Sequence, residues 1–169
     1  TLEKKALVIM CADNGIVQEG VTQTGQEVTA IVAENFLNGK TSAKLMAEHT
    51  GTELFPIDIG MTRDTSIINR KIAYGTQNFT KGPAMSRAQA IQGILIGIDF
   101  VQELKNAGYK IICTGEMGIG NTTTSSAMAA LLLGVDIKEV TGRGAGLSKE
   151  GLDHKIHTIM KGIRVNQPD

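Results

Sequence analysis

One stretch in the second half of the sequence constrains the fold most, because it has the pattern of a strand, a glycine loop and a helix in succession. The apolar run 109–114 predicts a buried strand, and the run 127–133 predicts a helix. Between them, glycines stand at positions 115, 118 and 120. Glycines allow backbone conformations and a close ligand approach that a Cβ atom would obstruct, and the first amides of a helix carry partial positive charge. The stretch predicts an anion site; the alternative is that the glycines only let a strand turn tightly into a helix.

Two common nucleotide-binding motifs do not fit this stretch. The spacing from Gly115 to Gly120 matches the opening of a Walker loop, and Thr122 fits its hydroxyl position, but Asn121 stands where that motif needs lysine. No Gly-x-Gly-x-x-Gly frame closes here or in the second glycine loop, residues 142–146. The absent lysine counts against a P-loop phosphotransferase, and the broken frame counts against a dinucleotide-binding enzyme.

The composition narrows the functional classes further. Lysine plus arginine and aspartate plus glutamate both number 17, so the formal net charge is zero, and only 4% of residues are aromatic. Neither a basic surface nor stacking platforms for bases are indicated, which argues against nucleic-acid binding. At 169 residues the chain fits one domain, and its longest apolar runs are too short to span a bilayer, so no membrane association is expected.

The cysteines indicate the cellular compartment, and the first residues indicate whether the sequence is a fragment. Cys11 and Cys113 each end an apolar run, where buried free thiols are common, and two cysteines do not make a disulfide framework. We therefore expect a cytoplasmic protein without a signal peptide before the first strand. The sequence begins at Thr1 without methionine and runs almost directly into a strand, so we expect a fragment of a longer protein.

The rest of the chain alternates strands with helices. The continuous apolar run 6–12 predicts a strand covered on both faces of a parallel sheet. The run 54–59 predicts a second strand, and Pro56 indicates that it lies at a sheet edge or begins at the proline. Helical spacing and capping residues predict helices near residues 28–36, 42–48, 87–107 and from 149 onwards, and a further short strand is expected at 135–140.

Two helices carry clear apolar positions and caps. Ser86 and Gln89 form a capping-box signature, and Thr41 and Ser148 are further expected caps. The helix that follows Ser86 has an apolar face made of Ile91, Ile94, Leu95, Ile98, Val101 and Leu104. In the helix after Thr41, Leu45 and Met46 are expected in the core.

Candidate contact residues also lie outside the first glycine loop. Asp13 follows the first strand, where groups in open α/β sheets face the ligand crevice, although Asp-Asn-Gly is also ordinary turn chemistry. Residues 16–25 form a long polar loop, and such loops are often functional. His154 and His157 lie one helical turn apart, but without a cysteine or carboxylate at ligand spacing they favour a solvated helix face over a metal site.

Both glycine loops together carry a resemblance to a known family. Gly115-Glu116-Met117-Gly118-Ile119-Gly120-Asn121-Thr122-Thr123 resembles the signature of the nicotinate-nucleotide:dimethylbenzimidazole phosphoribosyltransferases. Other stretches resemble the same family in the same order, and these are residues 12–15, 19–21, 26–29, 58–60, 82–85 and 142–147. The resemblance covers nearly the whole chain. It implies an α/β fold with an open, mostly parallel sheet and flanking helices, a Rossmann-like three-layer core.

The resemblance also implies an activity. Members of this family move ribose 5-phosphate from nicotinate mononucleotide to 5,6-dimethylbenzimidazole, which yields nicotinate and α-ribazole 5′-phosphate for the lower ligand of cobalamin. No cofactor and no metal are expected, and the complete protein is expected to be a homodimer. The alternative from another class is a non-catalytic module that binds a nucleotide or phosphate without needing an aromatic base.

Site residues follow from the same resemblance, position by position. Those expected at the nucleotide are Gly115, Gly118, Gly120, Asn121, Thr122, Gly142, Arg143, Gly144 and Lys155. Those expected at the aromatic base are Asp13, Thr22, Gln26 and Met117. Glu116 is the expected catalytic carboxylate, with a loop glutamate held by backbone amides as the alternative.

The chain departs from the family pattern in two ways. Asn14 stands where the family more often has histidine. Members are also considerably longer, with a helical N-terminal region and a C-terminal segment that holds their principal base. We therefore expect residues 1–169 to be a partial nucleotide-binding core domain that is inactive, or nearly so, alone.

Overall fold

The computed structural model describes residues 2–168, and contacts within the chain divide these into two compact units. The first, which we call the sheet unit, comprises residues 2–12, 27–74 and 86–117. The second, which we call the helical unit, comprises residues 13–26, 75–85 and 118–168. Each is described by itself.

The sheet unit contains four parallel strands. These are β1 (Lys5–Ala12), β2 (Thr52–Gly60), β3 (Ile68–Asn69) and β4 (Ile111–Met117). Their order is β3-β2-β1-β4, and in β1 the residue Ile9 is level with Pro56 on one side and Gly115 on the other. All three strand pairings are parallel, which confirms the predicted open parallel arrangement. Each connection between parallel neighbours must cross over the sheet.

Helices cover both faces of this sheet. They are α1 (Glu27–Leu37), α2 (Ser42–His49) and α3 (Arg87–Asn106). Successive residues of β1 point to opposite faces, so Val8 packs in a cluster with Phe100 of α3, while Ile9 packs in a cluster with Phe36 of α1. This arrangement explains why β1 is apolar from Ala6 to Ala12.

The predicted helix caps of this unit are confirmed. The Thr41 hydroxyl oxygen accepts a hydrogen bond from the Lys44 amide at 3.2 Å. At the start of α3, the Ser86 hydroxyl accepts from the Gln89 amide at 3.2 Å, and the Gln89 side chain accepts from the Ser86 amide at 2.8 Å. Both bonds satisfy amides that a helix leaves unpaired.

The prediction for Pro56 was wrong, because β2 begins at Thr52 and has neighbours on both sides. The proline is tolerated since β3 pairs only with Ile57 and Asp58. Cys113 was also expected to be buried and is exposed, whereas Cys11 is buried as expected. Cys113 lies on β4, which is the last strand in the sheet order.

Several expected core residues are exposed. Leu45 and Met46 have 58% and 69% of their surface accessible, so their assignment to the core was wrong. On α3 the buried positions are Phe100 and Leu104, whereas Ile94 remains 65% exposed. Periodicity identifies residues that share a helix face, but it does not say whether another element covers that face.

The helical unit holds the remaining elements. These are a short 3-10 helix (Gly15–Glu19), α4 (Asn121–Leu133), α5 (Ile137–Val140) and α6 (Lys149–Asn166). The strand expected at 135–140 is instead α5, because the Asp136 side chain accepts a hydrogen bond from the Lys138 amide at 2.9 Å and caps a helical turn. The predicted cap Ser148 is confirmed. Within residues 2–168, no helix has the length and apolar character needed to cross a membrane.

Candidate functional site

The first glycine stretch is a strand, a short loop and a helix, with boundaries that differ from the predicted ones. β4 continues through Gly115 and Glu116 to Met117, so these residues belong to a strand and not to the loop. α4 begins at Asn121, six residues before the expected run at 127. The turn between them therefore consists only of residues 118–120.

Gly120 caps α4 in a conformation that other residues rarely adopt. Its φ is 90°, and a Cβ atom there would lie 2.9 Å from Cγ2 of Val17 and 3.3 Å from Cβ of Asn14. No side chain caps the helix at this position. The glycine thus starts α4 without a side chain of its own, at the helix end that carries partial positive charge.

Lys155 of α6 reaches this end of α4. Its Nζ atom donates to the Thr122 hydroxyl at 2.7 Å and to the Gly142 carbonyl at 3.1 Å, and the residue is 1% exposed. Burial lowers the pKa of the Lys155 amine below its ordinary value. No carboxylate of the described chain forms an ion pair with it. A buried ammonium group that is held by neutral oxygens alone is a strong site for an anion.

The second glycine loop closes around the same amine. Gly144 has a φ of 57°, and a Cβ atom there would lie 3.0 Å from the Thr122 hydroxyl oxygen and 3.7 Å from Nζ of Lys155. Arg143 is exposed, and its carbonyl accepts from the amides of Gly146 and Leu147. We call the group formed by Thr122, Gly142, Gly144 and Lys155 the lysine cradle.

The loop that carries Thr22 and Gln26, which were expected at the aromatic base, contacts the turn after β1 and the second glycine loop. Gln26 donates to the Asn14 carbonyl at 3.0 Å, and Gln23 donates to the Gly146 carbonyl at 2.8 Å. The Thr22 hydroxyl donates to the Thr24 carbonyl at 2.7 Å. These bonds hold residues 20–26 in a defined path.

The expected site residues divide between the two units. Gly115, Glu116 and Met117 belong to the sheet unit, and Met117 packs on the core cluster of α1. The others belong to the helical unit and are Asp13, Thr22, Gln26, Gly118, Gly120, Asn121, Thr122, Gly142, Arg143, Gly144 and Lys155. Asp13 is only 1% exposed, and its carbonyl accepts from the Thr76 amide at 3.0 Å. Glu116 is exposed on β4.

Asn14 makes hydrogen bonds to the first glycine loop and to α4 that the sequence did not predict. Its Nδ2 donates to the Ile119 carbonyl at 3.2 Å, and its Oδ1 accepts from the Thr124 hydroxyl at 3.5 Å. Asparagine therefore links the turn after β1 to the first glycine loop from a position where the resembled family more often has histidine. The sequence could have indicated Asn14 as a site residue through its position directly after a predicted strand, because such turns face ligands in α/β folds.

The two histidines of α6 make no metal site. His154 lies 2.6 Å from the Glu19 carbonyl and His157 lies 2.7 Å from the Asp153 carbonyl. Among the residues that the structure describes, no three His, Cys, Asp or Glu side chains form a group that suits a metal ion.

Comparison with known proteins places this geometry in context. The profile of a family described as "Phosphoribosyltransferase" matches residues 1–169. Nicotinate-nucleotide–dimethylbenzimidazole phosphoribosyltransferase of Acetivibrio thermocellus is 47% identical over 171 residues, which cover 99% of this chain and 49% of that protein. The protein of the same name in Clostridium acetobutylicum is 45% identical over 100% of this chain and 49% of its own length.

The fold is shared with a solved structure. The crystal structure of CobT from Thermus thermophilus superposes with a TM-score of 0.93 at 33% identity, and the match covers 100% of this chain and 52% of that one. The chain thus spans about half the length of the relatives it matches.

Proposed function

The chain belongs to the phosphoribosyltransferase family, and we propose that it supplies the nucleotide-binding core of an enzyme that uses nicotinate mononucleotide. In the proposed reaction, ribose 5-phosphate passes to 5,6-dimethylbenzimidazole. The products are nicotinate and α-ribazole 5′-phosphate, a unit of the cobalamin lower ligand. The relatives carry the names of both substrates, which supports this choice.

The lysine cradle is the observation that carries the proposal. A 5′-phosphate there receives hydrogen bonds from the Lys155 ammonium and the Thr122 hydroxyl, close to the positive end of α4. Gly144 supplies the space, because any larger residue would fill it. The phosphate neutralises a cation that the protein otherwise buries among neutral groups.

The chemistry of the transfer explains why a carboxylate is needed and an acid is not. The bond between C1′ and the pyridinium nitrogen breaks, and its electron pair neutralises that nitrogen, so nicotinate leaves without being protonated. A benzimidazole nitrogen forms the new bond to C1′, and the proton on the other ring nitrogen must then pass to a base. Glu116 is our proposed base within this chain, since a carboxylate accepts such a proton.

The other proposed roles follow the family resemblance. The residues that join the cradle in holding the nucleotide are Gly115, Gly118, Gly120, Asn121 and Arg143. Asp13, Thr22, Gln26 and Met117 contribute to the pocket for the aromatic base. We further propose that residues 1–169 are a partial core domain, and that the complete protein is a cytoplasmic homodimer.

The proposed function is tested by mixing the chain with nicotinate mononucleotide and 5,6-dimethylbenzimidazole. We expect the nucleotide to bind, which isothermal titration measures, while release of nicotinate is slow or absent. Glu116→Gln, which keeps the shape but removes the basic carboxylate, should abolish whatever release occurs and leave nucleotide binding unchanged. Failure to bind the nucleotide would refute the proposal, and turnover at a normal enzymatic rate would refute the expected inactivity of these residues alone.

A second prediction concerns the space in the lysine cradle. Gly144→Ala places a methyl group against Thr122 and Lys155, so we expect nucleotide affinity to fall about tenfold or more, as for the loss of one to two hydrogen bonds. Gly97→Ala is the control, because Gly97 lies on α3 outside the cradle and its Cβ would meet no atom within 4 Å. The same titration measures both variants. Equal losses in the two would contradict the assignment of the cradle as the phosphate site.

A further inference from the structure

We propose that His154 is a positioning residue which, with Asn78, anchors Glu19 and so sets the path of residues 20–26 for binding the aromatic base. The inference rests on the proposed function and deepens it. It gives a role to a histidine that neither the lysine cradle nor the base-pocket assignments include.

The bond from His154 has a defined direction. Its Nε2 lies 2.6 Å from the carbonyl oxygen of Glu19, and a carbonyl oxygen only accepts, so Nε2 carries the hydrogen and donates. Glu19 ends the 3-10 helix, and the next residue, Gly20, turns the chain with a φ of 69°. The contact therefore falls where the chain changes direction into residues 20–26.

The side chain of Glu19 is held as well. Nδ2 of Asn78 donates to the Glu19 carboxylate at 2.7 Å. Asn78 is buried, and its own Oδ1 accepts from the amide and hydroxyl of Thr80, which fixes the orientation of its side chain. Lys161, two turns after His154 on α6, adds an ion pair at 3.4 Å. The Asn78 hydrogen bond is the main cause that lowers the pKa of Glu19, because it stabilises the charged carboxylate.

The bond from His154 connects residues 20–26 to α6, the helix that carries Lys155 of the lysine cradle. His154 and Lys155 are consecutive on α6, yet one holds the Glu19 carbonyl and the other holds Thr122 and Gly142. Glu19 leads into Thr22 and Gln26, which are the proposed contacts of the base. Loss of the His154 bond should loosen this loop without removing any donor from the phosphate.

The experiment uses three variants of the 169-residue chain. His154→Ala removes the donor, and His154→Gln restores an N–H at a similar distance from the backbone. His157→Ala is the control, since the hydrogen bond of His157 is to the Asp153 carbonyl of its own helix. Titration with nicotinate mononucleotide, and with 5,6-dimethylbenzimidazole in the presence of that nucleotide, measures the two affinities. Amide hydrogen exchange of residues 16–26 reports on the anchor without any ligand.

We expect His154→Ala to weaken benzimidazole binding about three- to tenfold, as the loss of one hydrogen bond implies, with nucleotide affinity changed less than about twofold. Exchange of the amides at 20–26 should rise in the same variant, and His154→Gln should restore both values. His157→Ala should change neither.

Other outcomes overturn the proposal in distinct ways. Equal weakening of both ligands would make His154 a general stability residue, and unchanged exchange in His154→Ala would show that no anchor exists. If the unaltered chain binds the nucleotide but not the benzimidazole, only the role of His154 in base binding is refuted. If it binds neither, the proposed function fails, and this inference fails with it.

Discussion

Lys155→Met is expected to weaken the binding of nicotinate mononucleotide by about a hundredfold, the size of effect that follows from removing one partner of a buried charge pair. Methionine fills a similar volume but offers the phosphate neither charge nor N–H. The variant should still fold, since it replaces a buried cation that has no carboxylate partner among the described residues with an apolar side chain. Titration calorimetry and thermal unfolding measure the two properties.

Lys149→Met provides the matched control for this experiment. Lys149 is the first residue of the same helix and is exposed, so its loss removes an equal charge outside the cradle. We expect its effect on nucleotide affinity to be small and sensitive to salt, as is usual for an exposed charge. A comparable loss in both variants would mean that net charge, and not the buried Lys155, attracts the phosphate.

The same lysine predicts opposite effects of pH on binding and on stability. Burial lowers the pKa of Lys155 below its ordinary value of 10.5, so between the folded and unfolded values the unfolded chain binds more protons. The ligand-free protein should therefore gain stability from this group as pH rises through that window. Nucleotide affinity should fall over the same window, because the phosphate needs the protonated amine. Lys155→Met should remove this contribution from both profiles.

Gly15→Ala is expected to lower the free energy of unfolding by about 3 kcal/mol, the upper part of the range for overpacking. A Cβ atom at this position would lie 2.5 Å from the carbonyl carbon of Gln77 and 2.5 Å from the carbonyl oxygen of Thr76. These are backbone atoms, which cannot rotate away as a flexible side chain does. The Gly15 amide also donates to the Thr76 hydroxyl at 3.1 Å, and the displacement would break this bond.

Urea unfolding measures this effect, with Gly97→Ala as the comparison. Gly97 lies within α3, and its Cβ would meet no atom within 4 Å, so alanine there should leave stability unchanged or raise it by up to about 1 kcal/mol. A Gly15→Ala protein as stable as the original would show that residues 76–78 do not pack against this turn as the structure has them.

Features that depend on near neighbours in the chain were predictable from the sequence. Ser86 and Gln89 form their capping box because the interacting groups lie three residues apart, and Thr41 and Ser148 cap their helices in the same local way. The apolar run of β1 likewise required a strand covered on both faces. The error at 135–140 was also local in cause, since the Asp136 cap favours a turn of helix over an apolar strand.

By itself, then, the sequence determined the three longer strands, the helices α1 to α4 and α6, the parallel sheet, the two glycine loops and, through its motifs, the family, but it did not indicate β3 and it placed a strand where α5 lies. Only the tertiary structure decided that Lys155 meets Thr122, 33 positions earlier in the chain, and that His154 beside it holds Glu19. It also decided that Ile94 on the apolar face of α3 stays exposed among the described residues, whereas Leu104 is buried. The physical reason is that periodicity and capping arise from bonds within a few residues, whereas burial and the pairing of distant polar groups depend on how whole helices pack.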